Sequence, residues 1–368
     1  MNTLKKIAVY SCILFLILPL VAVAEEETAG SIEKLPELIK MEEETGIMVT
    51  ELGVKYIVDP NKITSGGPPM DGIPSIDEPE YVTVDEADRW IQDNELVLAL
   101  IYNDTKRVYP LQVMVWHEIV NDHINGEPIL ITYCPLCGSG IAYERTINGE
   151  EVEFGTSGKL YNSNLVMYDR NTNSYWTQIG GQAIVGELTG MELKAISIET
   201  VVWRDWKVAH PDSEVLSQDT GFDRPYGTDP YGNYYENSFV LFPVENSDDT
   251  IHPKTVIFGI EVNGTYQAYR EEDLINSGTI NDTVNDIDIF VERDEAGIVR
   301  ITDLKTGDEI IKERDFWFAW YAFHPETTIY LPEGFEPELP EEEKSTPLGI
   351  VAPVAAILFA LAASRKRN

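Results

Sequence analysis

The chain repeats part of itself, and this constrains its fold more than any other feature. Residues Leu96–Ile131, moved forward by 160 positions, fall without a gap on Val256–Val291. Asn103, Thr105, Tyr109, Asn121, Asp122, Asn125 and Ile129 meet the identical Asn263, Thr265, Tyr269, Asn281, Asp282, Asn285 and Ile289. A second match supports the first: Trp203-x-x-Trp206-x-x-x-His210-Pro211 recurs as Trp317-x-x-Trp320-x-x-x-His324-Pro325, now at an offset of 114, so the second copy is 46 residues shorter between its markers. A unit found twice predicts two related lobes of mainly β-structure, the second shortened. Short apolar runs such as Leu96–Leu100 and Val256–Ile260 alternate with Asn103-Asp104, Asn148-Gly149 and Asn263-Gly264, which have the composition of tight hairpin turns. The expected fold is mainly β (α+β), with two related β-rich lobes from an internal duplication and a few short helices. The best helix expectation runs from Pro110, a good first-turn residue, to about Asp122, with Val113, Trp116, His117 and Val120 on one face.

The ends of the chain read as addresses. Lys5-Lys6, an apolar run from Ile7 to Leu18 and Ala22-Val23-Ala24 before an acidic stretch are the parts of a secretory signal peptide over residues 1–24. Residues 25–80, acidic and rich in Pro and Gly, read as an irregular lead-in. Lobe one, residues 81–245, and a shortened, degenerate lobe two, residues 246–331, follow. The Pro- and Glu-rich residues 332–347 self-repel and form an extended stalk. Residues 348–368 carry an apolar stretch, Leu348–Ala363, and the basic Arg365-Lys366-Arg367. That order predicts a C-terminal membrane anchor with its basic end on the cytoplasmic side, and it resembles archaeal C-terminal sorting signals of the PGF type. The expectation is an extracytoplasmic, membrane-anchored protein at the cell surface.

Between the two end segments stand 22 bases against 63 acids. A surface this negative repels phosphate backbones, so no nucleic-acid partner is expected. The expected partners are the membrane, through the tail, and a redox partner or small substrate of unknown identity. Asn103, Asn263 and Asn281 each begin an N-x-[ST] sequon available for glycosylation on an exported chain.

Cys12 departs with the signal peptide, which leaves Cys134 and Cys137 in one C-x-x-C at the end of an apolar strand, Ile129–Tyr133. Two thiols at this spacing can cycle between dithiol and disulfide, hold a metal as half of a site, or form an inert disulfide. There is no second C-x-x-C, so a four-cysteine zinc site is excluded, and a transition metal would have to recruit histidine: His117, His123, His210 or His252. His117 is the expected activator of a cysteine by lowering its pKa, or a metal ligand beside it; a packed helix histidine is the plain alternative. His210 and His324 occur in both copies and are read as architecture. The Gly-, Ser- and Asn-rich Phe154–Asn164 lacks the G-x-x-x-x-G-K-[ST] spacing of a phosphate loop and is expected to line the mouth of the site.

Five blocks carry a resemblance: Trp116–Asp122, Thr132–Gly138, Phe154–Gly158, Leu160–Arg170 and His252-Pro253-Lys254. Over about Tyr81 to Tyr330 the chain resembles the domain-of-unknown-function family 3179. The resemblance brings no established activity. Some members of that family are selenoproteins, which implies a reactive nucleophile at one position of the C-x-x-C. The expected function is a thiol-dependent oxidoreductase centre at Cys134 and Cys137 with His117 beside them. The alternatives are a metal-binding module of Cys134, Cys137, His117 and His252, or a surface protein with a structural disulfide.

Overall fold

The computed structural model describes residues 45–332 and Phe335. The signal-peptide, stalk and anchor expectations lie outside these residues, and among the described residues no helix is long and apolar enough to cross a membrane.

The chain is mainly β, as its apolar runs and turn dipeptides predict. The strands Leu96–Tyr102 and Thr105–Pro110 pair around Asn103-Asp104, and Val256–Val262 and Thr265–Arg270 pair around Asn263-Gly264. Asn103 and Asn263 take left-handed φ values of 47° and 49°, the conformation that a two-residue hairpin of this twist demands. Val97 lies opposite Pro110 and Tyr102 opposite Thr105; Ile257 lies opposite Arg270 and Val262 opposite Thr265. A second hairpin, Ile119–Ile124 with Glu127–Cys134, has the register of Thr279–Val284 with Ile287–Arg293.

The correspondence extends to side chains. Trp203 Nε1 donates to Asp88 and Trp317 Nε1 to Asp248; Trp206 Nε1 donates to Ser213 and Trp320 Nε1 to Thr327. Tyr109 bonds Asp122 as Tyr269 bonds Asp282. Each pair of partners is separated by the offset seen in the sequence. The two tryptophans therefore pin a short helix, Trp203–Ala209 or Trp317–Phe323, onto the sheet of their own lobe.

The lobes differ in what lies between the matching parts. Lobe one has five- and four-stranded sheets and a seven-stranded sheet that includes Phe154–Tyr161 and Asn164–Asp169; lobe two has only a four- and a three-stranded sheet among the described residues. The 46 residues by which the two offsets differ fall in the stretch that holds most of that seven-stranded sheet. Three short strands of residues 48–65 pair into the same sheet, and Ile76 bridges Val120, so the later part of the expected lead-in is built into lobe one.

The helix expected over Pro110–Asp122 is corrected. Helix occupies only Leu111–Met114, and Ile119–Ile124 is a strand. Glu118 turns the chain with a left-handed φ of 60°. Asn121 then exchanges hydrogen bonds with the Phe154 backbone, Nδ2 donating to its carbonyl at 2.8 Å and Oδ1 accepting from its N–H at 2.9 Å. The β-branched Val113, Val115, Ile119 and Val120 favour this outcome over a long helix.

The lobes meet where the strand Lys312–Phe316 lies against Ser139–Glu144. Lys312 Nζ lies 2.6 Å from Glu199, both buried, and Arg314 Nη1 reaches the Gly138 carbonyl at 3.5 Å. Asn162 Nδ2 donates to the Ala322 carbonyl at 3.1 Å. This junction brings lobe two onto the C-x-x-C.

Candidate functional site

Cys134 closes the strand Glu127–Cys134 and stands opposite Ser139 in the next strand, Ser139–Glu144. Pro135–Cys137 form one 3₁₀ turn, and Gly138 completes it with φ 61°. The turn aims both sulfurs at each other, 3.1 Å apart, and both cysteines are free and buried. A Cβ at Gly138 would sit 2.8 Å from the Phe316 ring of lobe two. Gly138→Ala therefore meets a positive φ and a filled space together. It is expected to lower stability by about 2 kcal/mol in a denaturant melt, with part of the loss recovered in the double variant with Phe316→Leu.

Cys137 is the better-held sulfur. Asn164 Nδ2 donates to it at 3.4 Å, and the Ser163 carbonyl lies 3.5 Å away. Asn164 is fixed in turn: Nδ2 donates to Gln178 Oε1 at 2.7 Å, and Oδ1 accepts from the N–H groups of Gln178 and Ile179. Gln178 Nε2 donates to Ser139 Oγ at 2.9 Å and Thr132 Oγ1 at 3.2 Å. The segment Phe154–Asn164 thus forms a hairpin whose Asn162-Ser163 turn, with φ values of 51° and 62°, reaches the sulfur. It packs under the site instead of lining its mouth.

Burial holds the Cys137 thiol well above its ordinary pKa. The hydrogen bond and charge of Cys134 push the same way, as does the Asp315 carboxylate, while Asn164 opposes them. Both sulfurs are covered, and Cys137 is held protonated. The cover is a tyrosine-rich segment. Tyr234 donates to the Leu136 carbonyl at 3.0 Å. Lys254 Nζ lies 3.5 Å over the Tyr234 ring and donates to the Tyr234 and Phe239 carbonyls. A cleft of about 490 Å³ opens beside the turn, walled by Tyr133, Gly138, Asp229, Tyr235, Lys254, Arg314 and Phe316. The residues immediately before Cys134 and after Cys137 thus face the cleft while the sulfurs lie behind them.

His117 has other partners. Nδ1 lies 2.8 Å from the Pro74 carbonyl and Nε2 2.6 Å from the Tyr226 hydroxyl, so Nδ1 donates and Nε2 accepts. Burial lowers its pKa to about 4, so at neutral pH the ring is uncharged and cannot stabilise a thiolate as an imidazolium. His252 caps its own loop, accepting from Lys254 N–H at 3.2 Å. Among the described residues no three His, Cys, Asp or Glu side chains converge as a metal site requires. Cys134, Cys137, His117 and His252 therefore do not form one ligand set.

Two further acids are buried in the molecule. Glu118, buried, has a pKa raised to about 8 by burial alone. Asp315, in the lobe-two strand, is completely buried, and its carboxylate has only the Ser139 hydroxyl, itself bound to Gln178, as a weak partner. Burial raises its pKa to about 7, against the pull of Ser139 and Arg314.

No curated protein and no solved structure matches the chain. Residues 70–327 match the family described as a protein of unknown function (DUF3179), which covers most of the chain and both lobes, and the protein belongs to that family.

Proposed function

We propose that this is an extracytoplasmic protein, tethered to the membrane by its C-terminal tail, whose Cys134–Cys137 pair is a thiol redox centre. The observation that carries the reading is the 3.1 Å approach of two free sulfurs in a turn beside an open cleft. A disulfide needs about 2.05 Å between sulfurs, so oxidation closes roughly 1 Å without refolding the turn. The pair loses two electrons and two protons to an oxidant of the disulfide or quinone class and regains them from a dithiol. Burial makes the exchange selective: the oxidant has to enter through the cleft and displace the tyrosine cover. In this reading lobe two is a degenerate copy that has lost the cysteines and serves as the wall of the site.

Titration of the purified protein with a redox buffer tests this. Reversible interconversion of dithiol and disulfide, followed by mass and by alkylation, is the expected result, and Cys134→Ser and Cys137→Ser should each abolish it. A pair that stays reduced in excess oxidised glutathione, or binds stoichiometric metal instead, would sink the redox reading. Membrane fractionation tests the address separately.

A further inference from the structure

The redox reading leaves a proton unplaced. A buried thiol held in its protonated form reacts only if a base takes its proton as the sulfur attacks. The groups of lobe one around Cys137 do not supply one: Asn164 and Gln178 are amides, and Ser139 is bound to Gln178. Lobe two brings Asp315 to the same place.

Three observations make Asp315 more than a structural residue. Its carboxylate is completely buried with no hydrogen-bond partner of full strength, only the Ser139 hydroxyl that also bonds Gln178, a costly arrangement that folding alone does not call for. Its charge acts on Cys137, and its strand neighbours Arg314 and Phe316 close on Gly138 of the same turn. The third comes from the repeat. Val202 opposite Leu96 corresponds to Phe316 opposite Val256, so the lobe-one equivalent of Asp315 is Val201. Val201 is buried and packs on the lobe-two turn at Gly297, within 3.3 Å of where a Cβ would stand. The architecture accepts an apolar side chain at this position where the facing turn has no cysteine, and has a buried acid where it does.

We propose that Asp315 is the proton acceptor of the Cys137 thiol, and that Glu313, two residues earlier on the same face of the strand, hands the proton to a second cavity. Glu313 Oε1 accepts from Gly180 N–H at 3.3 Å, Oε2 has no partner, and the residue lines a cavity of about 580 Å³. Burial first, and then the Asp315 charge, raise its pKa well above the ordinary value, so the two carboxyls share protons instead of ionising together. The other groups facing Asp315 are Arg314 on its own strand, Cys137 on the turn, and Ser139 and Tyr143 on the adjoining strand.

The inference rests on the redox reading. With a small disulfide RS–SR as oxidant, Cys134 attacks one sulfur and RSH leaves. In the second step the Cys137 S–H proton passes to the Asp315 carboxylate while the sulfur attacks Cys134 of the mixed disulfide. The bond to R breaks, its electron pair leaves as RS⁻, and RS⁻ takes up a proton as Asp315 releases one through Glu313. Two protein thiols are oxidised and one substrate disulfide is reduced to two thiols.

The test uses the purified protein and oxidised glutathione, with quenched samples weighed to follow the mixed disulfide and its closure separately. Asp315→Asn is expected to accumulate the mixed disulfide, with closure slowed ~100-fold, and to lose the rise in closure rate that the wild type shows through about pH 7. Asp315→Val, the lobe-one residue, should behave in the same way, and Glu313→Gln should slow closure less. Unchanged closure and pH profile in Asp315→Asn would overturn the assignment while leaving the redox reading intact. If the wild type forms no mixed disulfide, both fall together. Should the variants fail to fold, the wild type still decides: closure without a solvent deuterium isotope effect would also overturn the proposal.

Discussion

Glu118→Gln is expected to stabilise the protein at pH 8 by roughly 3 kcal/mol and to change it little at pH 5. Glu118 is buried, with a folded pKa raised to about 8 from 4.5 by burial. A carboxyl raised on folding favours the folded state fully below its unfolded pKa, and that benefit is lost as the pH climbs through the folded value. Asp315, raised to about 7, acts in the same direction. His117 and His324 oppose them: burial lowers each to about 4 from 6.5, so their contribution is complete above pH 6.5 and declines toward 4. The wild type should therefore gain stability between pH 8 and 6.5 and level off below. Glu118→Gln should flatten the upper part of that curve in urea melts at fixed pH. Glu118→Gly separates charge from strain. The equivalent residue of lobe two is Gly278, also left-handed at φ 74°, so glycine relieves the backbone at both pH values. An unchanged pH slope in the Gln variant would show that Glu118 is not the group that titrates.

His117→Ala is expected to cost about 3 kcal/mol and to leave the alkylation rate of the cysteine pair unchanged in the folded protein. The ring packs with its centroid 5.6 Å from that of Phe222 and 5.8 Å from that of Tyr226. Its removal leaves the Pro74 carbonyl and the Tyr226 hydroxyl without their partner. Alkylation with iodoacetamide well below the melting temperature, beside a denaturant melt, separates the two effects. Slower alkylation with unaltered stability would restore His117 as an activator of the thiols.

Much of the architecture was legible because it is local or repeated. The turns at Asn103, Asn148 and Asn263 announce hairpins through their own backbone preferences, and the pairing of Leu96–Pro110 recurs 160 residues later in Val256–Arg270. The false helix at Pro110–Asp122 arose where apolar spacing fits two periods. Asn125-Gly126, the turn between the strands that replace it, was as good a hairpin signal as those recognised. The residues around the sulfurs were harder to see. Asn164, Gln178 and Asp315 are polar residues separated from Cys137 by 27, 41 and 178 positions, and only the docking of a second hairpin and a second lobe buries them. Asp315 did leave one trace. Once the tryptophan motifs are aligned, it stands against Val201, an acid where the matching strand is apolar.

The contact of Gly138 with Phe316 has a consequence for the order of events during synthesis. The ribosome completes the C-x-x-C turn about 180 residues before it makes the strand that covers it. Lobe one can pair all its strands in that interval, since domains emerging first tend to fold first. A nascent chain therefore presents its two thiols without the Phe316 ring, the Arg314 clasp on Gly138 or the Asp315 carboxyl. The surroundings of the pair are complete only when its last long strand docks, so the chemistry of the pair matures with completion of the polypeptide.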